Sequence, residues 1–242
     1  MQRTEGRRRL RRVAILGVVV AAIAGLWWLT LTPLLDVDTI RVDGADRTGE
    51  KAVLSVLGIQ RGDALLTANV GGAANVLAKL PWVATADVRR SWPGLIRVHV
   101  VERAPVAAIA AKGGGWVVVD LSGRQLAAEE EPALALIRIA GRPVKPDPGE
   151  DVGATYQGAI DLAAGVPSLL RPAIASLWPQ RDGSLEATAK LPGGAEVVVR
   201  FGAPDQLQAK LVSLGALLER ADLAGVRTID LRVPGAPALT RG

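Results

Sequence analysis

The sequence predicts an α+β protein in which a single apolar helix precedes a small β-α-α-β-β domain and a larger mixed α/β domain with a C-terminal strand. Three observations support this fold class. Residues 13–35 carry no charge, residues 36–102 pass from strand-like alternation to helical periodicity and back, and residues 106–233 combine short strand patterns with one amphipathic helix. The expected divisions are a basic tail at 1–12, a transmembrane helix at 13–35, a first domain at 36–105, a second domain at 106–233 and a C-terminal tail at 234–242.

The apolar segment from Val13 to Leu35 has the length of a membrane anchor. It has 23 residues and follows a tail rich in arginine. As a helix it is about 34 Å long, against about 30 Å for the hydrocarbon core of a bilayer. Trp27 and Trp28 lie towards its far end, where an aromatic belt is expected, and arginine-rich flanks stay in the cytoplasm. The segment therefore predicts a single-pass plasma-membrane protein with a cytoplasmic N-terminus and most of the chain outside.

A cleaved signal peptide is the alternative interpretation of this segment. Ala22-Ile23-Ala24 followed by Gly25 resembles a cleavage site, and residues 13–21 form an apolar core of acceptable length. The apolar run continues for 11 residues beyond Ala24, which an anchor needs and a signal peptide does not. Length therefore favours the uncleaved anchor.

Charge and composition exclude several classes of function. Six arginines and one glutamate in residues 1–12 account for the whole formal charge of +5, so the neutral remainder predicts no nucleic-acid-binding surface. The absence of cysteine excludes disulfides. His99, the only histidine, is expected on a solvated sheet face, so neither a metal site nor a catalytic triad is predicted, and no cofactor is expected.

Alternation and helix signals define the first domain. Within residues 36–44, Ile40 and Val42 alternate with Arg41 and Asp43, which predicts a strand. Thr48 is the expected N-cap of a first helix, and a second helix is expected over 69–80, where Pro81 ends it. Two alternating segments within 83–100 flank a Ser-Trp-Pro-Gly turn and predict a hairpin. Together these elements give the β-α-α-β-β order.

Several residues of this domain occur in a recognisable order: Leu-Pro-Trp-Val at 80–83, Trp-Pro at 92–93, Val-His-Val at 98–100 and Glu-Arg-Ala-Pro at 102–105. This order, after a single anchor, resembles the bacterial cell-division family FtsQ, called DivIB in many Gram-positive bacteria. The resemblance implies a POTRA domain and marks eight motif residues: Pro81, Trp82, Val83, Trp92, Pro93, Glu102, Arg103 and Pro105. On physical grounds alone, Trp82 closes the end of a small core, and Glu102 with Arg103 forms an exposed ion pair worth under about 1 kcal/mol.

The second domain is expected to contain several short strands and two helices. Leu207, Leu211, Leu214 and Leu218 recur at three- and four-residue steps, which predicts an amphipathic helix that starts near Pro204 and ends before Gly225. The other expected elements are strands at 116–121, 136–139, 177–178, 185–191, 196–201 and 228–233, and a helix near 156–163. The Gly113–Gly115 run is a turn and not a phosphate loop, since no GK[ST] follows.

No catalytic motif is present: the sequence has no nucleophile elbow, P-loop, dinucleotide fingerprint or HExxH. We therefore predict that the protein is not an enzyme. The alternative prediction is a membrane-anchored cell-envelope enzyme or wall-binding domain, which needs a cleft with convergent carboxylates or an aromatic platform.

The resemblance implies a divisome scaffold at the septum that links early and late division proteins by binding FtsB (DivIC) and FtsL. In the family, FtsB pairs with the terminal strand of the second domain. The corresponding residues here are Thr228, Ile229, Asp230, Leu231, Arg232, Val233, Gly235 and Ala236, within an edge that continues to Leu239. Val233 stands where some members carry an aromatic residue, and Pro234 and Pro237 cannot donate to a strand ladder, so pairing that stops early is an open alternative.

Overall fold

The computed structural model describes residues 14–25, 36–191, 194–220 and 223–242. Residues 14–25, inside the predicted anchor, are helical, whereas Val13 and residues 26–35 lie outside the described residues. Among the described helices, none has both the length and the apolar character that a membrane crossing requires. From its contacts the chain divides between Glu102 and Arg103 into two compact units, each with its own hydrophobic core.

The first unit confirms the predicted β-α-α-β-β order. Its elements are β1 (Thr39–Asp43), α1 (Glu50–Val56), α2 (Val70–Leu77), β2 (Val83–Ser91) and β3 (Leu95–Glu102). Strand β3 is central, parallel to β1 and antiparallel to β2. The inward residues of the sheet, such as Ile96 and Val98, are fully buried with Val53 of α1 and Leu77 of α2. The helices therefore cover one face of the sheet. The alternate side chains of each strand project from the opposite face, where polar residues such as His99 are exposed.

The N-cap of α1 and the end of α2 differ from the prediction. Gly49, not Thr48, is the N-cap residue of α1, because the Thr48 hydroxyl donates instead to Glu102 Oε1 over 2.7 Å. The N-cap prediction for Thr48 was therefore wrong. Helix α2 is shorter than the predicted 69–80, and its Asn69 side chain accepts from the Gly72 N–H over 2.9 Å.

The second unit is a nine-stranded mixed sheet with two helices. Its elements are β4 (Ala107–Ala111), β5 (Trp116–Val119), β6 (Gln125–Glu129), β7 (Ile137–Val144), α3 (Gln157–Gly165), β8 (Ile174–Pro179), β9 (Leu185–Lys190), β10 (Glu196–Gly202), α4 (Leu207–Arg220), β11 (Val226–Asp230) and β12 (Ala238–Arg241). The strand order is β12-β11-β10-β9-β8-β7-β4-β5-β6. The mixed α/β architecture predicted for this domain is confirmed.

Helices α3 and α4 form two of the crossover connections of this sheet. Strands β7 and β8 are parallel, as are β10 and β11, and parallel neighbours cannot be joined by a tight hairpin. Helix α3 connects the first pair and α4 the second, and both contribute to one core around the fully buried Phe201 and Leu177. The core positions the C-terminal end of the sheet, because Leu211 and Leu214 of α4 and Ile229 of β11 belong to it.

The C-terminal region differs most from prediction. The expected last strand, 228–233, is β11, which begins at Val226 and ends at Asp230. Residues 234–242, expected as a tail, contain a further strand, β12, which pairs antiparallel with β11. Strand β11 is therefore an interior strand, and β12 is the strand at this end of the sheet.

Candidate partner-binding edge

The segment predicted to bind a partner is held at the C-terminal end of the nine-stranded sheet. Thr228 pairs with Val198 of β10 on one side and with Thr240 of β12 on the other, so the backbone of β11 is enclosed between two strands. Ile229 and Leu231 are fully buried, and the Leu231 N–H donates to the Arg200 carbonyl over 2.8 Å. The side chains of Ile229 and Leu231 are therefore core residues.

The connection between β11 and β12 carries the remaining predicted residues on the surface. Val233 is 61% exposed, and Gly235 and Ala236 are exposed beside it. The Ala236 N–H donates to the Val233 carbonyl over 3.1 Å, which closes a turn. Ser213 of α4 donates its hydroxyl to the Pro234 carbonyl over 2.7 Å and fixes this turn against the helix. The structure thus places Thr228, Ile229 and Asp230 in β11, buries Ile229 and Leu231, and leaves the connecting turn exposed.

Arg232 is clamped onto Asp230 at the end of β11. Its Nη2 lies 2.7 Å from Asp230 Oδ2, and its Nε lies 3.1 Å and 3.0 Å from the two carboxylate oxygens. The hydrogen bond from Arg232 lowers the pKa of Asp230 despite its partial burial, and the same bond raises the pKa of Arg232. Since the Arg232 side chain is 66% exposed, water screens the pair and its contribution to stability is small.

Gly202 at the end of β10 makes room for this arginine. Its φ is +69°, a left-handed conformation that side chains rarely adopt, and a Cβ there would lie 2.8 Å from Arg232 Cγ. A glycine is therefore required at position 202 for two reasons: the left-handed backbone angle and the space that the Arg232 side chain occupies.

Strand β12 was not predicted from the sequence, and neither were β4 and β6. Leu239 is half-buried against the core, whereas Ala238 and Thr240 are exposed. The Gly242 N–H donates to the Gly225 carbonyl over 3.2 Å, and N–H directions alternate along a strand. The Thr240 N–H consequently points to β11 and the Leu239 N–H points away from the sheet. Pro234 and Pro237 lie in the connection and not in β12, so they leave its ladder intact.

The Glu-Arg pair of the family-like motif falls on either side of the unit boundary. Glu102 accepts from the backbone N–H of Arg47 (2.9 Å) and of Thr48 (2.6 Å) and from the Thr48 hydroxyl. Burial alone raises the pKa of Glu102, but these hydrogen bonds outweigh it and hold the pKa below its ordinary value. The expected ion pair between Glu102 and Arg103 was wrong, because Arg103 bonds Asp120 instead.

Arg103 and Asp120 form a largely buried ion pair in the second unit. Arg103 Nη1 lies 2.8 Å from Asp120 Oδ2, and the two side chains are 23% and 8% exposed. The other oxygen, Oδ1, accepts from the Ser122 N–H, the Ser122 hydroxyl and the Arg124 N–H over 2.7–3.0 Å. Burial raises the pKa of Asp120, but the bonds from Ser122, Arg103 and Arg124 outweigh it and lower the pKa overall.

The remaining motif residues lie in the first unit, except Pro105, which belongs to the second. Arg47 Cζ lies 4.9 Å from the centroid of the Trp82 ring, a cation–π contact, and Val83 is fully buried. Trp92 is 56% exposed at the β2–β3 turn. In the same turn the Gly94 carbonyl accepts from the N–H groups of Asp38 and Thr39, which ties the turn to the start of β1. Pro81 and Pro93 are half-exposed or exposed, and Pro105 is half-buried just before β4.

The second unit also has a polar cleft of about 420 Å³. Cations and carboxylates line it together, among them Lys112, Arg142, Asp147 and Asp151. Tyr156 closes one side, with its hydroxyl donating to the Arg142 carbonyl, and burial raises the pKa of this tyrosine. In the described part of the chain no three His, Asp or Glu residues come together as a metal site would require.

Two family models match the chain. The model described as POTRA domain, FtsQ-type, matches residues 35–103, and the model described as Cell division protein FtsQ/DivIB, C-terminal, matches residues 107–232. The two matches lie on the two structural units.

Curated relatives named cell division protein FtsQ match along the whole chain. The protein from Streptomyces collinus is 30% identical over 249 residues, covering 98% of this chain and 90% of that protein. The protein from Mycobacteroides abscessus is 29% identical over 239 residues, covering 98% of this chain and 71% of that protein. Other relatives are longer: the match covers 65% of the Mycolicibacterium smegmatis protein at 27% identity and 97% of this chain.

Among the solved structures, the chain matches the major extracytoplasmic domain of the trans isomer of the bacterial cell division protein DivIB from Geobacillus stearothermophilus. The match covers 50% of this chain and 98% of that chain, with 16% identity and a TM-score of 0.34, which is too low to support an argument.

Proposed function

The chain belongs to the FtsQ/DivIB family of cell-division proteins, and from this membership we propose that it is a membrane-anchored, non-catalytic scaffold of the division machinery at the septum. The observation that carries the proposal is the edge strand β12 at the end of the nine-stranded sheet. An edge strand presents backbone N–H and C=O groups that a strand of another protein can pair with. The partners expected from the family are FtsB (DivIC) and FtsL.

We place the proposed contact at β12 instead of β11, because β11 is flanked on both sides. A partner strand cannot pair with Thr228 or Asp230 while β10 and β12 flank them. It can pair with β12, where the Leu239 N–H points outward and the Leu239 side chain holds the strand on the core. Arg232, Val233, Gly235 and Ala236 lie on the surface of the connecting turn, where they can contact the same partner.

Membrane attachment through residues 13–35 is the second part of the proposal. The charge-free stretch and the arginine-rich tail support it, and residues 14–25 are helical. We expect the mature protein to retain its full mass. A mature protein that has lost about 24 residues would indicate a cleaved signal peptide instead.

Replacing Leu239 tests the edge. Leu239→Pro removes an outward N–H, whereas Leu239→Ala removes most of the same side chain and keeps the N–H, so it is the matched control. We expect the proline variant to lose at least about tenfold in affinity for the purified FtsB-like protein of the same cell relative to the alanine variant, equivalent to about 1.4 kcal/mol. Equal binding by the two variants would contradict pairing at β12.

Depletion tests the cellular role. Cells that lack the protein are expected to form undivided filaments or chains, and Arg232→Glu is expected to weaken capture of the FtsB-like partner. Normal division after depletion would refute the scaffold role, whatever the outcome of the binding measurements.

A further inference from the structure

The open face of the first unit's sheet carries two rows of charge that run across the strands. Cross-strand partners project from the same face, so the register of β1, β3 and β2 defines these rows. The arginine row is Arg41, Arg97 and Arg89, and the aspartate row, two residues further along each strand, is Asp43, His99 and Asp87. All six side chains are exposed.

The arginine row costs stability in an isolated unit. Strands lie about 4.8 Å apart, and like charges directly opposite one another on neighbouring strands are destabilising. Arg89 is compensated by Asp87 of its own strand, at 2.6 Å. For Arg41 and Arg97 the described residues supply no ion pair. An anionic surface laid over this row relieves the repulsion.

The aspartate row is the matching surface. Two residues along a strand span about 6.7 Å, so the rows are parallel and that far apart. A two-fold axis parallel to the rows and midway between them places the arginine row of one copy over the aspartate row of another. This rotation does not change the position of a residue along its row. Arg41 of one copy therefore faces Asp43 of the second copy, Arg89 faces Asp87, and Arg97 faces His99. A neutral imidazole has one acceptor nitrogen for the guanidinium.

We infer that this face is a self-complementary contact through which two copies of the chain associate. The single rotation satisfies both rows at once, as an isologous interface requires. A uniformly anionic surface such as a lipid bilayer suits the arginine row only, since it would repel Asp43 and Asp87 in the neighbouring row. The open face measures roughly 250 Å² per copy from strand spacing and length, against about 800 Å² per partner in stable complexes. The contact is therefore weak, reversible and sensitive to salt.

This association is independent of the proposed scaffold role and is tested by charge exchange. The full chain in detergent micelles is examined by sedimentation equilibrium, alone and in mixtures. Arg41→Glu/Arg89→Glu makes both rows acidic, and Asp43→Lys/Asp87→Lys makes both rows basic. Each variant alone is expected to associate at least about tenfold more weakly than the native chain, and an equimolar mixture of the two is expected to recover association as a heterodimer.

Two matched controls carry the same change in net charge away from the sheet. Lys51→Glu/Arg61→Glu and Asp46→Lys/Glu50→Lys alter exposed residues of the same unit and are expected to associate like the native chain. Raising the salt concentration from about 0.1 M to about 1 M is expected to weaken association of the native chain at least about tenfold.

Three results would overturn the inference: a native chain that stays monomeric at low salt up to about millimolar concentration, charge-reversed variants that associate as the native chain does, or a mixture that fails to recover association. If the native chain is monomeric but the reversals impair division, another protein occupies this face. Because the rows are exposed, far-ultraviolet circular dichroism is expected to show unchanged secondary structure in all variants.

Discussion

The ion pair between Arg103 and Asp120 gives the sharpest prediction about stability, because the two oxygens of Asp120 have separate partners. Oδ2 accepts from Arg103, and Oδ1 accepts the three bonds from Ser122 and Arg124. Asp120→Asn can keep the amide oxygen on the turn and direct its NH₂ to Arg103. The substitution therefore removes the charge-assisted bond and spares the turn.

The magnitude follows from burial. A hydrogen bond to a charged group contributes about 1.5–3 kcal/mol, and with the Asp120 side chain only 8% exposed we expect Asp120→Asn to cost about 2–3 kcal/mol. Asp120→Ala also removes the three turn bonds and is expected to cost about 3–5 kcal/mol. The opening free energy of the peptide covering residues 118–126, from native-state hydrogen exchange of the full chain, measures both.

The pH dependence of stability distinguishes the contribution of the ion pair from the contribution of packing. Burial raises the pKa of Asp120 but the hydrogen bonds lower it further, so the folded-state pKa lies below the ordinary value. The stabilisation is therefore complete above about pH 3.9 and is lost as the pH falls through the folded-state pKa. The difference between the native chain and Asp120→Asn is expected to be constant from neutral pH to about pH 4 and to shrink below it.

Asp182 provides a matched control in the same unit. Its Oδ1 accepts from the Ser184 N–H (3.0 Å) and hydroxyl (2.7 Å), as Asp120 does with Ser122, but Asp182 has no arginine partner in the described structure and is exposed. Asp182→Asn is expected to change stability little. Equal opening free energies for the native chain and Asp120→Asn at neutral pH, or a difference that does not shrink as the pH falls below about 4, would refute the reasoning.

Three further predictions concern other polar contacts. Glu102→Gln is expected to destabilise the first unit by about 1–2 kcal/mol at neutral pH, because the Thr48 donors lose a charged acceptor. This destabilisation should vanish as the pH falls through the lowered pKa of Glu102. Urea unfolding from neutral to acidic pH measures it. Lys210 is 1% exposed and donates to the Ala203 carbonyl (2.8 Å) and to Asp205 (2.5 Å), so Lys210→Met should lower the unfolding free energy by about 1–3 kcal/mol in thermal denaturation, and an unchanged melting temperature would contradict it. Gly202→Ala should displace the Arg232 stem and raise the pKa of Asp230 towards its ordinary value in an NMR titration, and an unshifted titration would show that the clamp survives.

Local periodicity was sufficient to predict the elements that bury one face. The alternation in 83–100 gave the β2–β3 hairpin, and the leucine spacing in 207–218 gave α4, because each pattern reports which side chains leave water. Strand β12 has no such signal: it is four residues long, only Leu239 is half-buried, and its conformation depends on pairing with β11. The predicted last strand was therefore 228–233, and the strand that follows it was not recognised.

The missed contacts depend on tertiary structure. Lys210 lies on the apolar side of α4, where a lysine in the sequence indicates a solvated position, and only the Ala203 carbonyl and Asp205 explain its burial. Glu102 and Arg103 are adjacent and opposite in charge, which suggests an ion pair, but neighbouring residues in an extended chain point in opposite directions. The charge rows need strand register, because Arg41, Arg89 and Arg97 become neighbours only when the sheet forms.

Glu102 bonds to Thr48 of the first unit and Arg103 bonds to Asp120 of the second, and these bonds determine where the chain can be divided. A fragment that ends at Arg103 retains the carboxylate that binds Thr48 but deprives Asp120 of its arginine, and a fragment that begins at Glu102 has the reverse defect in the first unit. A cut at the peptide bond between them keeps Glu102 with Thr48 in one half and Arg103 with Asp120 in the other. The same bond is the natural junction for chimeras between relatives, because each half then carries both partners of its own polar contact.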